Sequence, residues 1–211
     1  MIFIPLGIGL LILIIFAAGA FFVLWLLGAI PFAFTKLGIS PEMAVFLYIM
    51  TFLGSFVNIP LTTMKNYYIK RSIWYSIPVV QKTVVAINLG GAIIPVIVSA
   101  YILSRTHSGT FILPILVMSF VAKSLTRIIP ERGFVMPAFI PPLVAVLLGY
   151  VFYPENPAAC AYVSGTLGVL IGADILNLHK IRKLQSTFVS IGGAGVFDGI
   201  FLTGIISALL I

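Results

Sequence analysis

From Ile2 onward the chain is a succession of apolar stretches, each close to bilayer-spanning length, separated by short clusters of basic residues and prolines. About 20 apolar residues cross the hydrocarbon core as a helix. Only 8% of the 211 residues are charged, against roughly a quarter in soluble domains. That excludes an ordinary water-soluble domain. In lipid every backbone polar group must be satisfied within the protein, which leaves helices or closed barrels. The stretches fall near 3–30, 41–60, 83–103, 109–123, 138–153, 158–179 and 187–210. The sequence thus predicts an all-α fold, a polytopic transmembrane bundle of about seven helices in a single domain over 1–211. The fourth and fifth stretches are short and carry Pro114, Pro141 and Pro142, so a kinked or re-entrant segment is the alternative there.

The charges orient this bundle. Twelve basic residues face five acids, a formal net charge of +7. Lys65, Lys70, Arg71 and Lys82 fall between the second and third stretches. Lys123, Arg127 and Arg132 fall between the fourth and fifth, and Lys180, Arg182 and Lys183 between the sixth and seventh. The alternate loops hold only Lys36 and Arg105. By the positive-inside rule the N-terminus and the three basic loops are cytoplasmic and the C-terminus is outside. The setting expected is an inner, cytoplasm-bounding membrane. The first stretch lacks the basic leader of a secretory signal, so it reads as a retained helix. The run Lys65–Tyr75 interleaves basic and aromatic residues. That pattern can stack single-stranded nucleic acid, but beside a span it reads as an interfacial belt meeting anionic lipid. The lipid bilayer is the expected partner, and nucleic acid is not.

Cofactor signals are missing. Cys160 is the only cysteine, and His107 and His179 lie in separate loops, so no zinc spacing exists. No phosphate loop, dinucleotide fingerprint or nucleophile elbow occurs. Ser164, Thr166 and Thr203 have no basic side chain at membrane depth to activate them, which disfavours a serine protease. No cofactor and no metal are expected.

The two aspartates carry the chemistry. Asp174 sits in Gly172-Ala-Asp-Ile-Leu-Asn-Leu178, and Asp198 in Ile191-Gly-Gly-Ala-Gly-Val-Phe-Asp-Gly199. An ionisable group at membrane depth costs several kcal/mol unless it has a partner, water or a proton. The bases map to loops or helix ends, so the carboxylates are candidates to be each other's neighbours. If 158–179 and 187–210 form a helical hairpin, Asp174 and Asp198 are equidistant from Ser186-Thr187, an N-cap pair at its turn. Each would then lie about 18 Å along its helix at 1.5 Å per residue. Two close carboxylates share a proton and titrate together. That is the arrangement by which an aspartic protease activates water and polarises a peptide carbonyl. Gly195 and Gly199 remove side chains beside Asp198 and would let a substrate backbone approach. Asn177, one turn after Asp174, and Asn88, before Gly90-Gly91, complete the candidate substrate-binding set. For either asparagine the simpler role is a hydrogen bond between helices.

The segments GADILNL and IGGAGVFDGIFLTG, with FLGSFVNIPL and INLGGAIIP before them, resemble an uncharacterised bacterial and archaeal family of small integral membrane proteins, a domain of unknown function. A more distant similarity is to the intramembrane aspartyl proteases of the presenilin, signal peptide peptidase and prepilin peptidase type. In presenilin-like members the two aspartates lie on the sixth and seventh helices, flanking a cytoplasmic loop. That similarity implies catalytic roles for Asp174 and Asp198 in cleaving a membrane-embedded peptide. The family motif Gly-x-Gly-Asp is here Gly195-Val196-Phe197-Asp198, with phenylalanine in place of the second glycine. The Pro-Ala-Leu motif has no counterpart after the dyad; Pro137-Ala138-Phe139 precedes it.

The leading expectation is therefore an intramembrane aspartyl-protease-like hydrolase. The main rival is a proton- or cation-coupled transporter that uses the same aspartates as its ion site. A short echo between INLGGAIIP and SIGGAGVFDG feeds that rival, because paired Gly/Pro-interrupted helices mark transporter sites. A non-catalytic assembly or lipid-binding protein stands third.

Overall fold

The computed structural model describes residues 27–71, 76–106, 108–129, 133–183, 186–193 and 198–211. The first expected span, near 3–30, lies outside these residues except for its end. That end opens helix α1, residues 27–36. Gly38, at φ 78°, then turns the chain into α2, Pro41–Gly54. Ser40 caps α2 by accepting from the Met43 N–H at 3.4 Å, with Pro41 in the first turn where no N–H is needed.

Next comes a long antiparallel hairpin. Strand β1, Asn58–Arg71, pairs with β2, Ser76–Asn88, from Asn58↔Asn88 to Arg71↔Ser76, with one irregularity between Pro60 and Thr62. A π-turn, Leu89–Ile93, leads into α3, Ile94–Ser104. Helix α4, Ile112–Leu125, is followed by a small hairpin of β3, Arg127–Ile129, and β4, Gly133–Val135. Helices α5, Ile140–Phe152, and α6, Pro157–Val169, come next. Beyond α6 the helix continues through a π-turn, Leu170–Asp174, and a 3₁₀ segment, Ile175–Lys183. Strand β5, Phe188–Ile191, then adds in parallel to β2, and α7, Gly199–Leu210, closes the described chain.

The all-α expectation needs correcting. The fold is mostly helical, with seven helices among the described residues, but it also holds a three-stranded sheet in the order β1-β2-β5 and the β3-β4 hairpin. Three expected spans are part strand. Residues 58–60 belong to β1, 83–88 to β2 and 188–191 to β5. In each, β-branched residues such as Thr83, Val84, Val85, Ile87 and Val189 favour a pleated strand over a helix. The helical hairpin about Ser186-Thr187 is likewise absent. Ser186 leads into β5, and its hydroxyl accepts from the Phe188 N–H at 3.3 Å instead of capping a helix.

Membrane length is correspondingly concentrated. Pro157–Ile181 is a 25-residue helical run of mean hydropathy 1.6, long and apolar enough to cross a membrane. Among the described residues it is the one helix that meets both criteria; the other apolar helices have 10–17 residues.

Helix α6 organises the core. It starts at Asn156, whose Oδ1 accepts from the Ala159 N–H at 3.1 Å, and packs against α3, α4, α5 and α7. Three apolar clusters follow one another along it. Ala158–Val163 meet Phe34, Val98, Phe201 and Ile205. Val169 and Ala173 meet Met118, Ala122 and Ile200, and Leu178 and Ile181 meet Val85, Val189, Met64 and Phe134. Close approach between α4 and the π-turn depends on Gly172. A Cβ there would overlap the Ser119 carbonyl oxygen, so this is a position where only glycine lets the backbones meet.

Candidate functional site

Asp174 ends the π-turn that follows α6. A π-turn inserts an extra residue into the helical ladder, re-aims the side chains that follow, and recurs at functional sites. Asn177 holds this distortion in place. Its Nδ2 donates to the carbonyls of Gly172 and Ala173 at 3.1 and 3.0 Å, and its Oδ1 accepts from Lys180 Nζ at 2.8 Å. Asn177 is fully buried.

Asp198 stands at the N-cap of α7, where its Oδ1 accepts from the Ile200 N–H at 3.0 Å. The α7 N-terminus directs the positive end of its helix dipole at this carboxylate. The equal-depth calculation along two helices therefore does not apply, since residues 188–191 are strand and α7 begins only after Asp198. The carboxylates nonetheless arrive at one place. Both line a cavity of about 230 Å³ together with Thr126, Phe134, Val135, Met136, Gly199 and Thr203.

The remaining predicted residues divide. Gly199 lines the cavity, and a Cβ on it would meet the Met136 methyl at 3.2 Å. Gly195 lies outside the described residues. Asn177 is behind Asp174 rather than on the cavity wall. Asn88 is placed elsewhere, fully buried at the end of β2. There its Oδ1 accepts from the Gly91 N–H at 2.8 Å, and its Nδ2 donates to the Ser55 carbonyl at 2.8 Å and to Asn58 Oδ1 at 3.2 Å. Ser190 Oγ donates to the same Asn58 oxygen. Asn88 thus ties α2, β1, the π-turn and β5 into one junction.

The two Gly-Gly segments that echo each other in sequence meet at this junction. Gly192, at φ 67°, approaches so closely that a Cβ would lie 2.7–2.8 Å from Gly91 and Ala92. The two segments are thus in direct contact.

Sequence reasoning missed the wall built by β4 and the residues after it. Phe134, Val135 and Met136 line the cavity, and so does Ala138, from the Pro137-Ala138-Phe139 segment that sequence order had set aside. The signal was weak: Gly133, at φ 94°, after a short β-branched run at Ile128-Ile129. Thr126 and Thr203 add hydroxyls, that of Thr126 donating to the Ala122 carbonyl at 2.7 Å. Among the described residues no group of three His, Cys, Asp or Glu side chains is arranged to hold a metal ion.

A family profile described as a protein of unknown function (DUF1614) matches residues 52–210. Comparison with curated proteins and with solved structures gave no match.

Proposed function

Because the chain belongs to DUF1614, a family of unknown function, its chemistry has to be argued from its site, and we propose an intramembrane aspartyl-protease-like hydrolase acting through Asp174 and Asp198. The observation that carries this reading is the convergence of the only two aspartates of the chain on one cavity.

The setting proposed is a polytopic protein of a prokaryotic inner membrane, with the sheet end and the N-terminus cytoplasmic. Large apolar side chains are exposed in numbers no soluble surface carries, among them Phe56, Phe120, Phe139 and Val151, each at least 70% accessible. Met64 of β1, Val85 of β2, Phe134 of β4, Leu178 and Ile181 of the 3₁₀ segment and Val189 of β5 share one cluster. Lys65 of β1, Lys82 of β2 and Lys180 of the 3₁₀ segment lie on these elements, which supports a common basic face of the kind the positive-inside rule describes. Leu89–Ser104, at roughly 24 Å for 1.5 Å per residue, falls short of the ~30 Å hydrocarbon core. The reading accordingly includes a bilayer thinned around the dyad.

The two carboxylates divide the work by environment. Asp198, held at a helix N-terminus, is the anion and general base; the proton shared by the pair resides on Asp174. A water between them loses a proton to Asp198 while its oxygen attacks the scissile carbonyl carbon. The Asp174 proton passes to the carbonyl oxygen, giving a neutral gem-diol. Asp198 then protonates the departing amide nitrogen, the C–N bond breaks, and Asp174 recovers its proton from the diol. Gly199 lines the same cavity beside Asp198, and its missing side chain keeps that wall low.

The test is cleavage of single-span peptides by the purified protein in proteoliposomes. Asp174→Asn and Asp198→Asn should each abolish it while the protein stays folded. Either mutant cleaving at the wild-type rate sinks the reading.

One observation favours a second reading. The cavity, at about 230 Å³, is smaller than the ~300–1,000 Å³ typical of small-molecule sites. That suits a proton or hydrated cation better than a bulky ligand. Ion-dependent uptake into the same proteoliposomes, lost in both mutants and without peptide cleavage, would mark a coupled transporter instead.

A further inference from the structure

A second cavity, of about 410 Å³, lies between α2 and α3 and is separate from the aspartates. Met43 and Leu47 of α2 and Ile97 and Val98 of α3 form its apolar walls; Ser40, Tyr101 and Arg105 complete the lining. Arg105 is the one charged residue among the described residues that line it.

The guanidinium is held in place. Arg105 Nη1 donates to Tyr101 Oη at 2.6 Å, and its carbon lies 5.5 Å from the centre of the Tyr101 ring. Arginine has five donors in a planar fork, so this bond leaves most of the fork available to a phosphate. Arg105 also caps the C-terminal end of α3, where a cation is favoured, and Tyr101 is a side chain suited to the headgroup level. Lys36, the other base assigned to this side, is otherwise engaged: its Nζ donates to the Leu209 carbonyl at 3.3 Å and lies over the Phe32 ring. On the membrane reading the outer walls of the cavity face lipid. Met43, Ile97 and Tyr101 are 50%, 57% and 42% exposed.

A groove lined by apolar side chains with one fixed cation at its mouth matches an amphiphile with a single negative head. We propose that this cavity binds an anionic glycerophospholipid, one acyl chain lying between α2 and α3 and its phosphate on Arg105. The volume falls within the ~300–1,000 Å³ range of built ligand sites. This inference rests on the membrane reading and is independent of the aspartate chemistry, so it can fail while the hydrolase reading stands.

The experiment is native mass spectrometry of the full chain released from detergent after incubation with phosphatidylglycerol or with phosphatidylcholine. One phosphatidylglycerol should remain bound, and phosphatidylcholine, whose phosphate can reach Arg105 but whose quaternary ammonium brings a second cation to the same site, should bind several-fold more weakly. Arg105→Gln should weaken phosphatidylglycerol about tenfold, and Lys36→Gln should not. Ile97→Trp and Met43→Trp, which fill the cavity from α3 and from α2, should each displace the lipid. Having both protects the test against one of them failing to fold, which circular dichroism reports. Equal retention of the two lipids with Arg105→Gln unchanged would overturn the proposal. So would retention unaffected by either tryptophan, which would mean a surface charge effect. Displacement of the lipid by millimolar inorganic phosphate alone would identify a free-anion site and overturn it as well.

Discussion

The double duty of Asp198 gives a prediction that separates folding from chemistry. Its Oδ1 satisfies the Ile200 N–H at 3.0 Å at the start of α7, and the same residue lines the cavity that Asp174 also lines. Asparagine is as good an N-cap as aspartate, whereas alanine at such a position costs ~1 kcal/mol. Either change also removes a negative charge from a helix N-terminus, worth ~0.3–1 kcal/mol. Asp198→Asn should therefore lose only the charge contribution, and Asp198→Ala should lose both, ~1–2 kcal/mol in total. For a chain of this size ~1 kcal/mol moves Tm by ~2–4 °C. Thermal unfolding in one detergent, followed by circular dichroism, should thus order the proteins as wild type, Asn variant, Ala variant, with the last two separated by a few degrees. Cleavage should be absent from both. Peptide hydrolysis alone would otherwise conflate a lost base with a frayed α7; this ordering keeps them apart. If the Ala variant melts no lower than the Asn variant, the capping role is refuted.

Other consequences can be checked in parallel. Gly172→Val should force α4 from the π-turn, because even a Cβ overlaps the Ser119 carbonyl; overpacking of this kind costs ~1–3 kcal/mol, whereas Gly109→Ala, with nothing within 4 Å of its added methyl, should leave Tm nearly unchanged. Asn88→Asp should destabilise more than Asn88→Ala. Its Nδ2 faces two acceptors, the Ser55 carbonyl and Asn58 Oδ1, and a carboxylate oxygen there would be repelled by both; equal melting temperatures would contradict the junction described. Single cysteines at Lys65 and Lys180 in a Cys160→Ala background should react with an impermeant thiol reagent only from the cytoplasmic side, and one at Lys36 only from the outside. The reverse labelling would invert the proposed topology.

How much of this was legible in the sequence depended on which interaction decided each segment. Long apolar stretches with helix-compatible residues, such as 140–152 and 157–169, are helical as their hydropathy requires. The two aspartates stood out because acids are rare in such a chain, and that scarcity survived an incorrect account of how they meet. The β1-β2 hairpin was hidden because a short apolar run such as Thr83–Ile87 has the same hydropathy in a strand as at a helix start. Only its β-branched content favoured the strand. The β4 wall was hidden for a different reason. Met136 gains its role from packing beside Gly199 of α7, and Phe134 from packing against Val85, Ile181 and Val189, contacts that no local pattern encodes. Asn88 and Asn177 were visible as polar residues in apolar surroundings, but hydropathy could not tell a cavity-lining amide from one that ties turns together.

The parallel pairing of β5 with β2 has a consequence for the order of assembly. Val84 meets Phe188, more than a hundred residues later in the chain, so the sheet closes over a loop containing α3 to α6. Pairings of such separation form slowly and late. At ~5–20 residues per second of synthesis, several seconds pass between emergence of the two strands. Asp198 follows β5 in the chain. Asp174 and Asp198 are themselves only 24 residues apart, ~1–5 s of synthesis, so both carboxylates are made after β2 has long been waiting, and the cavity they line is among the last parts of the fold to assemble.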